Sequence, residues 1–190
     1  TDVAASGAAL LDDNSRVLNV TSLDGTTTLT GLIITGGRTT VDNQVGGGIR
    51  SARAITLTNS TVSGNSTSGN FADGGGTFSF VTTLTNSTVS GNSTSGYAAS
   101  GGGIFSGTTT LTNSTVSGNS TSGQRADGGG IFSFFDMTLT NSTVSGNSTR
   151  GYDADGGGIF SLYDTTLTNS TVSGNSTSGT SANGGGIFSG

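Results

Sequence analysis

The chain contains no cysteine, proline, tryptophan or histidine, and only one methionine. Lysine and glutamate are missing too, so all 6 cations are arginines and all 11 acids are aspartates. Without cysteine there is no disulfide framework and no thiol chemistry. Without His, Lys or Glu, the side chains that carry most acid–base and metal-assisted catalysis reduce to scattered aspartates. The net charge of -5 argues against nucleic acid or an acidic membrane as partner. No apolar run approaches the roughly 18 residues of a membrane span. There is no secretory leader pattern, and the chain opens on Thr1 rather than Met, so it reads as a mature or excised piece of something longer. Hydrophobic residues are 29% of the chain, little for a globular core and close to a disordered composition.

What the chain does have is repetition. The stretch TLTNSTVSGNS, seen at Thr110 to Ser120, recurs nearly letter for letter. Its leucine falls at Leu57, Leu84, Leu111, Leu139 and Leu167, in steps of 27, 27, 28 and 28. A second block, GGGIFS, keeps the same beat through Ile49, Thr77, Ile104, Ile131, Ile159 and Ile187. Thr28 to Gly37 and Gly46 to Ser51 align with both blocks as a divergent first copy. Repetition at this period marks a solenoid, in which each coil buries a few apolar residues against the next.

Within a coil the alternation has period two, the strand signal. Leu of TLT and Val of TVS point one way, Thr and Ser the other. Asn and Gly mark bends. With GGGIFS as the third strand, the expectation is all-β: a right-handed parallel β-helix of three short strands and 27–28 residues per coil. Its core would be the Leu, Val and Ile columns, with Thr77 a flaw. Both asparagine columns, Asn59/86/113/141/169 and Asn65/92/119/147/175, are expected to turn inward and bind backbone groups and each other. Each also fits the N-glycosylation sequon, a modification that an inward Asn would preclude. Residues 1–15 read as a cap, a loop or short helix with Asp2 as N-cap. Residues 16–190 read as a solenoid of about six coils, the first strand lying near Arg16 to Val20.

No catalytic, cofactor or metal site is expected. Asp73, Asp127 and Asp155 precede glycine triplets, but Ser100 and Asn183 hold the same place, and an interrupted column is a poor site. The triplets lack the lysine of a phosphate-binding loop and do not fit the calcium-binding nonapeptide, although calcium in these turns stays open. Their expected role is close backbone approach at a bend.

The sharper signal is a set of outward Thr-Xaa-Thr pairs: Thr28/Thr30, Thr56/Thr58, Thr83/Thr85, Thr110/Thr112, Thr138/Thr140 and Thr166/Thr168. All six copies keep both members, including the divergent first. Members of a pair should lie about 6.6–7 Å apart and pairs about 4.8 Å apart, giving an uncharged lattice roughly 24 Å long. β-Branched Thr is stiff at χ1, so methyls and hydroxyls align at small entropic cost.

The array resembles the Thr-Xaa-Thr ice-binding face of insect β-helical antifreeze proteins. Their coils are shorter and disulfide-stapled, so the likeness is one of face geometry. It implies a non-catalytic protein that binds ice and ordered water through the twelve threonines named. The GGGI and Asn-bearing repeats, from about Val17 onward, also resemble those of polymorphic outer-membrane proteins and bacterial adhesin passengers, which implies a structural or adhesive stalk. Either way an extracellular or cell-surface location is expected. Thr61/Ser63 and its equivalents form a second, more mixed array broken by Ile33. The Phe column (Phe78, Phe105, Phe132, Phe160, Phe188) shares its place with Arg50, so it is expected to face outward and offer a protein or glycan partner an aromatic ladder, unless variable loops near Phe71, Tyr97 and Tyr152 cover it.

Overall fold

The computed structural model describes residues 15–21 and 25–190. The cap expected over residues 1–15 therefore lies, Ser15 apart, outside the described residues. The rest is an all-β, right-handed parallel β-helix of about six coils, with 23 strands and no helix among the described residues. Every named strand pair is parallel, and like residues pair with like from coil to coil, as in Val62↔Val89↔Val116↔Val144↔Val172. We number the coils 1 to 6 by Leu29, Leu57, Leu84, Leu111, Leu139 and Leu167, which are partners in one register. The first strand is Leu18–Val20, paired with Ile49–Ser51.

The three sheets are not the three expected. IFS and TLT lie in one broad sheet of 11 strands, and in coils 3 and 4 they are a single nine-residue strand, Thr77–Thr85 and Ile104–Thr112. TVS strands form a sheet of 6. The remaining sheet, also of 6, is made of two-residue strands such as Ser66–Thr67 and Ser120–Thr121. The alternating lengths have a local cause. From Ile to Leu is 7 residues in coils 3 and 4 (Thr77 to Leu84, Ile104 to Leu111) and 8 in coils 2, 5 and 6. The extra residue breaks the broad-sheet strand in two, as at Phe134 to Asp136 between Ile131–Ser133 and Met137–Thr140.

The Leu, Val and Ile columns form the core, and Leu57, Val62, Ile49 and their equivalents through coil 5 have no solvent exposure. Polar columns complete the interior. Asn65, Asn92, Asn119 and Asn147 are buried. Each carboxamide donates to the next, Asn92 Nδ2 to Asn119 Oδ1 at 3.0 Å, and to the carbonyl of the coil before, Asn92 Nδ2 to Val62 O at 3.0 Å. The same Oδ1 accepts a backbone N–H from the preceding coil, Asn92 N to Asn119 Oδ1 at 2.9 Å. Thr67, Thr94 and Thr121 are buried as well, each donating Oγ1 to an alanine carbonyl five residues on.

The other asparagine column does not turn inward. Asn59, Asn86, Asn113, Asn141 and Asn169 are exposed and left-handed, with φ of 48–49°. Both bends need one residue at positive φ. In Ser-Gly-Asn, Gly64 takes it (φ 62°), which frees Asn65 to reach inside. In Thr-Asn-Ser no glycine is present, so Asn59 takes it and its side chain is held outside. Coil 1, which lacks this Asn, has Gly31 there at φ 68°. The sequon objection thus applies to the buried column alone.

The glycine triplets do permit close approach. A Cβ on Gly75 would lie 2.5 Å from the carbonyl oxygen of Gly102, and one on Gly103 2.6 Å from that of Gly130.

Candidate functional site

The threonine array lies on the outer face of the broad sheet. In each strand Leu is buried and the flanking threonines face away from it, so Thr83–Leu84–Thr85 reads half-buried, buried, half-buried. Register is unbroken. Thr28, Thr56, Thr83, Thr110, Thr138 and Thr166 are successive partners, as are Thr30, Thr58, Thr85, Thr112, Thr140 and Thr168. Thr28, Thr30, Thr138, Thr166 and Thr168 are exposed; the others are half-buried, as a side chain flanked by neighbours at strand spacing must be. All twelve positions are thus brought onto one face, in two ranks with no ionisable side chain among them.

The Phe column shares that face, one half-strand away. Phe78, Phe105, Phe132, Phe160 and Phe188 are stacked nearly parallel, with centroids 4.8–5.2 Å apart and interplanar angles of 5–11°. The rings cover one another, and Phe132 and Phe160 are only 7% and 8% exposed. The ladder is therefore not the open aromatic surface that the shared Arg50 position implied. Nor do the loop aromatics account for its burial: Phe71 and Tyr97 pack edge-on against each other at 5.7 Å, while Phe134 meets Phe105 and Phe132 edge-on at 5.5 and 5.1 Å.

The open rings were not singled out by the repeat. Phe80, Phe134, Phe135 and Tyr163 are 42–60% exposed and sit between the IFS and TLT segments of the broad sheet. The signal that finds them is the breakdown of the repeat: Phe80, Gly107, Phe134 and Leu162 occupy the position after the IFS segment in successive coils, and coils 5 and 6 add Phe135 and Tyr163.

The second array, Thr61/Ser63 and its equivalents, is outward and in register on the TVS sheet, with Ile33 77% exposed in coil 1.

The aspartates before the triplets also have a visible role. Asp73 Oδ1 accepts the N–H of Ser100 (2.7 Å), Ser100 Oγ that of Asp127 (3.0 Å), Asp127 Oδ1 that of Asp155 (2.7 Å), and Asp155 Oδ1 that of Asn183 (2.5 Å). Each side chain ties its coil to the next, which any acceptor can do, so Asp, Ser and Asn interchange. Burial pushes the Asp73 carboxyl up to about 7 and that of Asp127 to about 6. Among the described residues no group of three or more His, Cys, Asp or Glu side chains converges as a metal site would, and no helix is long and apolar enough to cross a membrane.

Stacked parallel coils with like residues in register define a β-solenoid repeat protein. The chain belongs to the right-handed β-helix family, whose model, described as a right handed beta helix region, matches residues 48–189. No curated protein and no solved structure matches it significantly.

Proposed function

We propose that the protein is a non-catalytic, secreted or surface-displayed β-solenoid that binds ice through its threonine face. The observation that carries this reading is the unbroken pairing of both threonine ranks through all six coils. A crystal surface is a two-dimensional repeat of hydrogen-bonding groups. A stiff, uncharged lattice of methyls and hydroxyls supports adsorption to such a surface, since methyls order the water between them and hydroxyls anchor it. Charge would hold mobile hydration water, and neither rank contains any.

The test is thermal hysteresis and ice recrystallisation inhibition. Thr112 lies in mid-array, between Thr85 and Thr140. Thr112→Tyr should abolish most of the activity while stability changes by no more than about 0.5 kcal/mol, as for an outward surface site. Full activity in that variant rejects this face.

The second reading is a structural or adhesive stalk. It is favoured by the buried asparagine ladder and the stacked phenylalanines, which run along the solenoid and would stiffen a spacer. Absence of any ice activity in the unaltered protein selects this reading.

A further inference from the structure

Between the IFS and TLT segments one coil lacks a side chain that its neighbours carry. Phe80 in coil 3 and Phe134 in coil 5 directly follow the IFS segment, and coil 4 has Gly107 there. The vacancy is built in. A Cβ on Gly107 would stand 2.4 Å from the carbonyl oxygen of Phe80, so coil 4 cannot fill the space itself. The space is an apolar groove of about 350 Å³, lined by Gly107 and by the exposed rings of Phe80, Phe134 and Phe135. Phe80 and Phe135 stand 6.4 Å apart at 70°, so they do not close it by stacking on each other. Phe78 and Phe105 of the ladder line it too. The faces of Phe105 are covered by Phe78 at 5.2 Å and Phe132 at 4.8 Å, so what Phe105 offers the groove is its ring edge.

We propose that this groove binds a neutral, electron-rich planar aromatic molecule the size of an indole, whose ring takes the place of the side chain that coil 4 lacks. Three features select that chemistry. No lining residue is ionisable, so a charged group would enter without a counter-charge. The two hydroxyls in the lining are already engaged: Ser51 Oγ accepts the N–H of Arg53 at 3.2 Å, and Ser79 Oγ shares a hydrogen bond with Thr82 Oγ1 at 2.6 Å. A ligand therefore gains little there from polar groups of its own. Ring edges carry partial positive charge and ring faces partial negative charge. The edge of Phe105 thus suits the face of an electron-rich ring, in the edge-to-face arrangement that Phe134 already makes with it at 77°. The volume falls at the lower end of the roughly 300–1,000 Å³ of small-molecule sites. The groove shares no residue with the threonine ranks, so this proposal stands or falls apart from ice binding.

The probe is indole itself. The chain has no tryptophan, so indole emission is read without background from that residue. Titrating the unaltered protein into indole should shift the emission to the blue and saturate at one indole per chain. Excess cyclohexanol, apolar and ring-shaped but without a π face, should fail to displace it. Phe80→Leu/Phe135→Leu keeps apolar bulk and removes two exposed rings. It should weaken binding by about tenfold, the effect of losing two ring contacts, with an unchanged circular-dichroism melt. Should that variant melt early, the cyclohexanol competition on the unaltered protein decides alone. Thr112→Tyr should bind indole as the unaltered protein does. The proposal is overturned if indole does not bind saturably, if cyclohexanol displaces it, or if the folded leucine variant binds it as tightly as before. A protein that takes up no indole and sediments as a dimer, monomeric only in the leucine variant, overturns it as well, because the groove is then covered by a second copy.

Discussion

The glycine corner and the threonine face repeat with equal fidelity, but only one is forced to. At the corner, Gly75, Gly102, Gly129 and Gly157 each face two backbone carbonyls where a Cβ would stand, one from Ser93, Ser120, Ser148 or Ser176 and one from the next coil's glycine. No other residue fits, so repetition there follows from sterics. The outward threonines meet no such demand, since an exposed strand position accepts many residues. Coil 1 is informative because it has drifted. It has lost the Asn, Val and Ser of the motif and carries Ile33 and Arg38 on its outer surface. It retains the Thr28/Thr30 pair, and the glycine triplet that follows it, Gly46 to Gly48, is kept as well. Retention has a packing cause at the triplet and none visible at the pair, which is why function is sought on the face and stability at the corner.

The comparison breaks first at the corner, where the largest effect is expected. A Cβ on Gly129 would lie 2.4 Å from the carbonyl oxygen of Ser148 and 2.5 Å from that of Gly157. Gly129→Ala should cost about 4 kcal/mol or more, the range reached when backbone has to move in a packed interior. Chemical denaturation followed by circular dichroism measures it. A loss under about 1 kcal/mol would mean that the coils slide apart more easily than their packing implies.

The same contrast explains what was legible in the sequence. The period, the Leu, Val and Ile columns and both threonine ranks all follow from apolar alternation, and each appears in register. The Ser66–Thr67 sheet was hidden because nothing apolar marks it. Its inward residue is a threonine whose hydroxyl is satisfied by the Ala72 carbonyl, and its neighbour Asn65 is equally polar and equally buried. A search for hydrophobic periodicity passes over such a strand. The union of IFS with TLT was hidden for a related reason. Phe80 and Val81 both lie outward of the buried Ser79 and Thr82, so alternation slips by one residue and imitates a corner while the strand runs on. The two asparagine columns share the tripeptide Asn-Ser-Thr and differ only in whether a glycine precedes them. That one residue decides which bend position takes positive φ, and so which Asn is buried.

A smaller effect sharpens the comparison through pH, because the loop before the corner holds the most perturbed acids. Burial raises the folded-state pKa of Asp73 to about 7 and of Asp127 to about 6, against about 3.8 for an exposed carboxyl. The folded chain therefore holds these protons more tightly than the unfolded one. Their contribution is fully present below about pH 4 and is lost as pH rises towards 6 and 7. The loss is at most about 1.4 kcal/mol for each tenfold difference in proton affinity between the folded and unfolded chain, and less at Asp127, which water partly screens. Melting temperature should fall between pH 4 and pH 8, and Asp73→Asn should flatten most of the slope. The neutral amide still offers an oxygen to the Ser100 N–H, so the tie between coils survives. A slope unchanged by Asp73→Asn would place the titration elsewhere.

The smallest effect concerns an interior column that the repeat does not keep. Ile55, Thr82, Thr109, Met137 and Thr165 are register partners facing inward between the leucine and isoleucine columns. Thr82 satisfies its hydroxyl on Ser79 Oγ at 2.6 Å, but Thr109 Oγ1 is buried with no partner. In coil 4 the residue aligned with Ser79 is Ser106, whose Oγ donates to the Thr108 carbonyl at 2.7 Å and leaves Thr109 without it. Thr109→Val exchanges the orphaned hydroxyl for a methyl of nearly the same shape. It should stabilise the protein by about 1 kcal/mol, the lower part of the range for an unmet buried hydrogen-bonding group. Thr82→Val should destabilise by a similar amount because it orphans Ser79. Opposite signs from one substitution in neighbouring coils would show that inside the solenoid stability follows the local partner rather than the repeat. Equal signs would mean that a water or a rotated Ser106 already satisfies Thr109.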